Sequence, residues 1–249
     1  MTLELRNPHS VLAALKHRPH DIREIRCSSS NPGGAWDEVL IAAQKAGISL
    51  SVSQRQGSSK RQRGHNQTER SSGTVAMVKE RQDFAIKEIL PPEGNTPQTG
   101  LWLALDCLQD PQNVGAIFRS ASFFGVQGII LTKDRSAPMN STVYDVSAGG
   151  VEAMPFSVVT NLTQALKTAK ETGLWVLGAS EHAQKDISQI DRGRPWLLVI
   201  GNEQKGIRRL TGEQCDEICL ITPKGEVSSL NASVAAGVLM SELSSISAS

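Results

Sequence analysis

The hydrophobic pattern changes character along the chain. Through about residue 80 the apolar runs are short and polar loops separate them; beyond about residue 100 strand-length apolar runs alternate with segments of helical period. In the first part, residues 11–15 predict a short helix after the turn signal NPHS. Trp36, Val39, Leu40 and Ala43 recur at helical spacing until Gly47 ends the run. Residues 48–52 and 73–78 predict strands. In the second part, strands are predicted at 101–105, 127–131, 156–159, 174–179, 196–200 and 217–221, and helices over 113–124, 162–172 and 229–243. Such alternation predicts an α/β fold: a mostly parallel sheet with helices on both faces. Ligands of such sheets sit at the carboxyl ends of the strands. The stretch ILPPEGNTPQTG (89–100) is rich in Pro and Gly and reads as a linker. The expected organisation is therefore a small domain over 1–85, a linker over 86–100 and a larger domain over 101–249.

Composition narrows the class. Of 249 residues 39% are hydrophobic, enough for a packed core, and only 4% are aromatic, so that core should be aliphatic. The net charge of +1 excludes a uniformly basic nucleic-acid binder, so any RNA footprint must be local. One such patch is the polar segment 54–73, with Arg55, Lys60, Arg61, Arg63 and Arg70. It reads either as a solvated loop or as a contact to RNA phosphates. Cys27, Cys107, Cys215 and Cys219 are dispersed, with no CxxC pair, which predicts neither a zinc site nor a disulfide framework. Cys215 and Cys219 could share a helix face, or be two small apolar residues. The N-terminus lacks an apolar signal-peptide core, and no apolar run approaches the ~20 residues of a membrane span. The expectation is a soluble cytoplasmic protein with no metal.

Three segments carry candidate chemistry. In DCLQDPQNVGAIFRSASFFG (106–125), Asp110-Pro111 signals a helix start. Val114, Ile117, Phe118, Ala121 and Phe124 form the stripe that should pack on the sheet. Arg119 falls on the opposite side, with Gly115 one turn earlier, where a bare backbone would let a ligand approach. In LLVIGNEQKGI (197–207), an apolar strand runs into Gly-x-Glu-x-x-Gly; Gly201 permits a sharp turn and Glu203 sits at the strand's carboxyl end. Neither a dinucleotide fingerprint nor a Walker A loop is present. In ICLITPKGEVSSLNASVAAGVLMSEL (218–243), a Pro/Gly loop leads into a helix that Ser228 or Ser229 can cap. Asn231 lies in its first turn, near the orphan amides, where simple capping is the alternative to a functional role.

In this order the segments Asn113–Arg119, Gly201–Gly206 and Gly225–Gly237 resemble the three signature motifs of the SpoU/TrmH (SPOUT) RNA methyltransferases, over about residues 100–245. The N-terminal part is similar to the small L30e/L7Ae-like RNA-binding domain that precedes the catalytic domain in bacterial members. The layout is most similar to the branch that methylates a guanosine ribose of 23S ribosomal RNA.

The resemblance implies a C-terminal trefoil knot, a homodimer, and S-adenosyl-L-methionine as cofactor, held by Gly201, Ile221 and Leu230. It implies methyl transfer to a ribose 2′-hydroxyl, with Arg119 as the activating residue. A guanidinium has a pKa above ~12, so Arg119 acts either as a base or by stabilising a developing alkoxide. Asn113 and Glu203 would position Arg119 or the ribose, and Ser229 and Asn231 would shape the pocket. Two departures stand out. Ile221-Thr222-Pro223 replaces the common I-P-M, and Ser71-Ser72-Gly73 stands where many relatives have His-Gln-Gly. The latter leaves the RNA target open between ribosomal and transfer RNA. A catalytically silent RNA-binding paralogue and a generic nucleotide-binding α/β protein are the other readings.

Overall fold

The structure, a computed structural model, describes residues 1–29, 32–52, 73–95 and 97–244. Most of the basic segment 54–73, with all five of its cations, lies outside the described residues, as do Ser71 and Ser72. Contacts between residues divide the chain into two units, Met1–Glu80 and Arg81–Ser249.

The first unit contains strand β1 (Thr2–Leu5), helix α1 (Pro8–His17), β2 (Ile22–Cys27), α2 (Ala35–Lys45), β3 (Ser49–Val52) and β4 (Val75–Lys79). The strand order is β1-β4-β2-β3, antiparallel except for the parallel β2–β3 pair. Asn7 caps α1 by accepting from the His9 amide at 2.9 Å, with Pro8 in the first turn. Both helices and the β3 and β4 strands fall where the hydrophobic pattern predicts them. The pattern does not reveal β1 and β2. These strands interleave charged residues, as in Ile-Arg-Glu-Ile-Arg-Cys, and the register of β2 slips between Ile22 and Glu24.

The second unit begins with α3 (Ile86–Ile89) and β5 (Gly100–Leu105), then α4 (Pro111–Phe123), β6 (Ile129–Thr132), α5 (Ser141–Ser147), α6 (Gly150–Ala153) and β7 (Phe156–Val159). It continues through α7 (Leu162–Glu171), β8 (Trp175–Ala179), β9 (Lys185–Asp186), β10 (Pro195–Ile200), α8 (Arg209–Gly212), β11 (Glu217–Leu220) and α9 (Ala232–Ser244). Its sheet has the order β7-β6-β5-β10-β8-β11-β9, and every described neighbour pair is parallel. That agrees with the predicted α/β class. The β10 strand, PWLLVI, is buried at every position because both sheet faces are covered. One face carries a cluster that includes Trp102, Ala104, Leu166, Val176 and Val199; α4 packs with α5, α6 and α9. The core is mostly aliphatic, with Trp102, Trp196, Tyr144, Phe118 and Phe156 among its buried rings.

The structure changes several sequence expectations. Residues 86–100 are not bare linker: α3 lies there, Ile89 and Leu90 are buried, and the Trp102 indole donates to the Ile89 carbonyl at 2.8 Å. Short elements whose few residues give no periodic signal, α5, α6, α8 and β9, were not predicted. Cys215 and Cys219 share no helix face, since Cys219 lies on β11 and Cys215 precedes it. Gly115 is not an opening for a ligand. A Cβ there would stand 2.8 Å from both the Val143 carbonyl oxygen and the Val146 Cβ, so the missing side chain lets α5 pack against α4.

The candidate active-site cleft

The carboxyl ends of β5 and β10 adjoin where the strand order reverses. From β5 the chain winds outward through β6 and β7, while β10, β8, β11 and β9 extend the other way. Such a reversal opens a crevice beyond the strand ends. A cleft of about 580 Å³ lies beyond the strand ends on the β10 side of that reversal, bounded by the segments after β8, β10 and β11. That volume suits a nucleoside-sized ligand. Gly201, Ile221 and Leu230, the three expected cofactor contacts, all line it, as do Glu203 and Ser229.

The loop after β10 folds onto itself. Asn202 and Gly206 exchange backbone hydrogen bonds of 3.0 and 2.9 Å. The Asn202 side-chain oxygen accepts from the Gln204 and Lys205 amides, and its amide nitrogen donates to the Cys107 carbonyl at 2.9 Å. Gly201 is needed for close approach: a Cβ there would fall 2.2 Å from the Gly206 carbonyl carbon and 2.3 Å from the Ile207 nitrogen. The loop is also pinned from below. Asp106, fully buried at the end of β5, accepts from the Arg208 amide at 3.0 Å and from Arg208 Nε at 2.6 Å.

A second network links all three motif segments. Asn113, buried in the first turn of α4, donates from Nδ2 to Glu203 Oε1 at 3.1 Å. Its Oδ1 accepts from Asn231 Nδ2 at 2.9 Å. Glu203 also accepts from the Gln109 and Asp110 amides at 3.5 and 3.4 Å, beside the N-terminus of α4. There a carboxylate meets the positive end of the helix dipole. Asn231, rather than Ser228 or Ser229, caps α9: its Oδ1 accepts from the Ser233 amide at 2.9 Å, and its carbonyl accepts from Ala235. Asn231 thus caps one helix and reaches the first turn of another. Ser229 is exposed on the cleft wall and takes no part in this network. Arg119 stands on the exposed face of α4, outside the cleft lining. At about 1.5 Å rise per residue it lies ~9 Å along the helix axis from Asn113.

Residues 100–241 match the model of the SpoU rRNA Methylase family. The chain belongs to that family. It is 37% identical over 240 residues to the 23S rRNA (guanosine-2′-O-)-methyltransferase RlmB of Pseudomonas aeruginosa, covering 94% of this chain and 93% of that protein. It is 36% identical to the putative TrmH family tRNA/rRNA methyltransferase YacO of Bacillus subtilis, covering 84% of this chain and 82% of that one. The crystal structure of the SpoU methyltransferase AviRb from Streptomyces viridochromogenes shares the fold. Its TM-score is 0.76 at 22% identity, covering 98% of this chain and 88% of that one. AviRb has also been solved in complex with the cofactor AdoMet.

Within this SpoU-family frame, sequence reading missed the residues that hold the cleft wall: Asp106, Asn202, Arg208 and Asp186. Asp186, on β9, accepts from both the amide and the hydroxyl of Thr222, and from both groups of Ser188. These bonds, with those of Ser188 first, hold its carboxyl well below the usual range. Thr222, the departure from I-P-M, therefore anchors the loop after β11 through an amide that a proline would lack. Acidic residues inside known motif segments were the available signal for Asp106; nothing in the sequence flags Asp186. Cys219 also lines the cleft, and burial, then the charges of Asp186 and Glu217, push its thiol up to about 12.

Proposed function

We propose that this SpoU-family chain transfers a methyl group from S-adenosylmethionine to the ribose 2′-hydroxyl of a guanosine in 23S ribosomal RNA. The observation that carries the reading is the Glu203–Asn113–Asn231 chain of hydrogen bonds, which draws the three motif segments together beside the cleft. Two further facts support it: family membership, and the kinship to a named guanosine-2′-O-methyltransferase over most of both chains.

The residues present fit the cofactor. The cleft offers apolar contacts from Ile221, Leu230 and Leu239, and main-chain polar groups from the loops around Gly201 and Thr222. When bound, S-adenosylmethionine supplies an electrophilic methyl on a sulfonium. Gly201, Ile221 and Leu230 would hold the donor, and Glu203 and Asn113 fix the loop and helix beside the cleft. Arg119, on the exposed face of α4, would orient the substrate ribose and stabilise negative charge developing on its 2′-oxygen, whose proton would pass to solvent. Ser229 and Asn231 shape the entrance. Held fixed, these groups lower the barrier by orientation rather than by new chemistry.

Three coarser features belong to the same proposal. The segment after β11 returns to pack α9 on α4 and near β5, which supports a C-terminal trefoil knot. The mixed four-stranded sheet with α1 and α2 supports an L30e/L7Ae-like RNA-binding role for the first unit, with 81–99 leading into the methyltransferase domain. Phe123 on α4 and Val234 and Val238 on α9 are 82%, 51% and 37% exposed; this apolar surface supports a homodimer built on those helices. No described helix is long and apolar enough to cross a membrane.

The test is methyl transfer by the full chain to separated 23S ribosomal RNA and transfer RNA, with the product mapped for 2′-O-methyl positions. The expected result is one modified guanosine in 23S RNA. Methylation of transfer RNA alone would assign the other substrate, and no transfer with either RNA would favour the silent paralogue.

A further inference from the structure

Lys205, Arg208, Arg209 and Lys224 line the cleft, and Glu181 and Glu203 are the carboxylates in its described lining. The two adjacent arginines differ. Arg209 is 78% exposed and its guanidinium is paired with Glu213, one turn on. Such a pair is solvated and free to rearrange. Arg208 is anchored. Its backbone amide and its Nε both go to Asp106, a carboxylate with no solvent exposure. That uses one edge of the guanidinium and both carboxylate oxygens. Nη1 and Nη2 have no partner among the described residues, and the side chain remains 41% exposed in the cleft wall.

A guanidinium locked at Nε with its terminal nitrogens open is a fork preset for two oxygens. A buried carboxylate behind it fixes the plane and removes most of the rotamer freedom that ordering a free arginine would cost. We infer that Arg208, oriented by Asp106, forms an oxyanion-binding subsite in the cleft. The inference rests on the methyltransferase reading, because that reading supplies the two oxyanions that can reach the cleft: the α-carboxylate of S-adenosylmethionine and a phosphate of the substrate RNA.

The experiment compares wild-type full chain with Arg208→Lys, which keeps a cation for Asp106 but loses the planar fork. Calorimetry measures binding of S-adenosylmethionine and of 5′-methylthioadenosine, which lacks the carboxylate. Filter binding measures the affinity of 23S RNA transcript at several salt concentrations. If the cofactor carboxylate docks here, the variant loses roughly tenfold in S-adenosylmethionine affinity while methylthioadenosine binding stays within about twofold, as expected for one lost charge-assisted fork. If an RNA phosphate docks here, cofactor binding is unchanged and the slope of log affinity against log salt falls by about one contact. A folded variant that matches wild type in all these measurements overturns the inference. Should Arg208→Lys fail to fold, the double variant Asp106→Asn with Arg208→Gln replaces the ion pair by neutral amides and is read the same way. Wild-type protein that binds neither cofactor nor RNA would instead overturn the methyltransferase reading itself.

Discussion

The wall of the cleft and the outer face of α4 are built on opposite terms. From Gly201 to Arg208 the chain is pinned by its own backbone, by Asn202 and by buried Asp106. Arg119 stands exposed on a helix whose other side is fully packed. One region spends its polar groups on internal order; the other leaves a charged group open to whatever docks. A rigid wall keeps a small ligand's binding geometry without an ordering cost at each encounter. An open guanidinium suits a large, variable substrate whose phosphate or hydroxyl completes the contact.

The largest expected effect breaks the contrast on the open side. Arg119→Ala should lower kcat roughly 1,000-fold, the scale of losing a donor to a developing oxyanion. Cofactor affinity and Tm should hardly move, because no described contact of the fold depends on that side chain. A calorimetric titration beside single-turnover kinetics checks the split; near wild-type turnover removes Arg119 from the chemistry.

Breaking the pinned side should do the reverse. Gly201→Ala forces a methyl onto the Gly206–Ile207 backbone, which cannot yield without displacing the wall. Cofactor affinity should fall roughly 100-fold, the equivalent of about 3 kcal/mol of overpacking strain. Gly115→Ala is the control. Its clash is with Val143 and Val146, away from the cleft, so it should cost about 1–3 kcal/mol of stability while the folded protein binds cofactor normally. Equal cofactor losses in both variants would erase the distinction between wall and scaffold.

Asn231 joins the two regions, so its loss should register in both. Asn231→Ala removes the α9 cap and the bond to Asn113, lowering stability by about 1 kcal/mol and slowing turnover in chemical unfolding and initial-rate assays.

The last effect is confined to alkaline pH and leaves neutral-pH stability and turnover unchanged; it concerns the thiols. Burial, then neighbouring carboxylates, raises Cys215 and Cys219 from 9.0 to about 12. An acid raised in the fold lends stability that is fully present below its unfolded value and is lost as pH rises through the folded one. Alkaline stability should therefore decline between pH 9 and about 12. Cys219→Ala should flatten that slope by about one proton, or ~1.4 kcal/mol per pH unit. An unchanged slope would place the thiol in a less buried setting.

Much of the second unit could be read from the chain, because its strands are long apolar runs and its main helices keep a regular period. Val114, Ile117, Phe118 and Ala121 are buried as that period requires. The first unit was half legible: β1 alternates as Thr-Leu-Glu-Leu but over only four residues, and β2 carries charges between apolar residues without strict alternation. Gly115 shows the limit of local reasoning. Its lack of a side chain was visible, but whether a ligand or a neighbouring helix fills the space depends on α5, thirty residues away in the chain.

The sequence by itself determined the α/β class, the order of the three motif segments and the identity of their chemistry-bearing residues, since residue type and period are local properties. Only the tertiary structure decided that Asn113 bridges Glu203 and Asn231, that Asn231 rather than a serine caps α9, and that Asp106 and Asp186 hold the cleft wall. Those facts depend on hydrogen bonds between residues as many as 118 positions apart, and the geometry of such bonds is set by packing rather than by any neighbour along the chain.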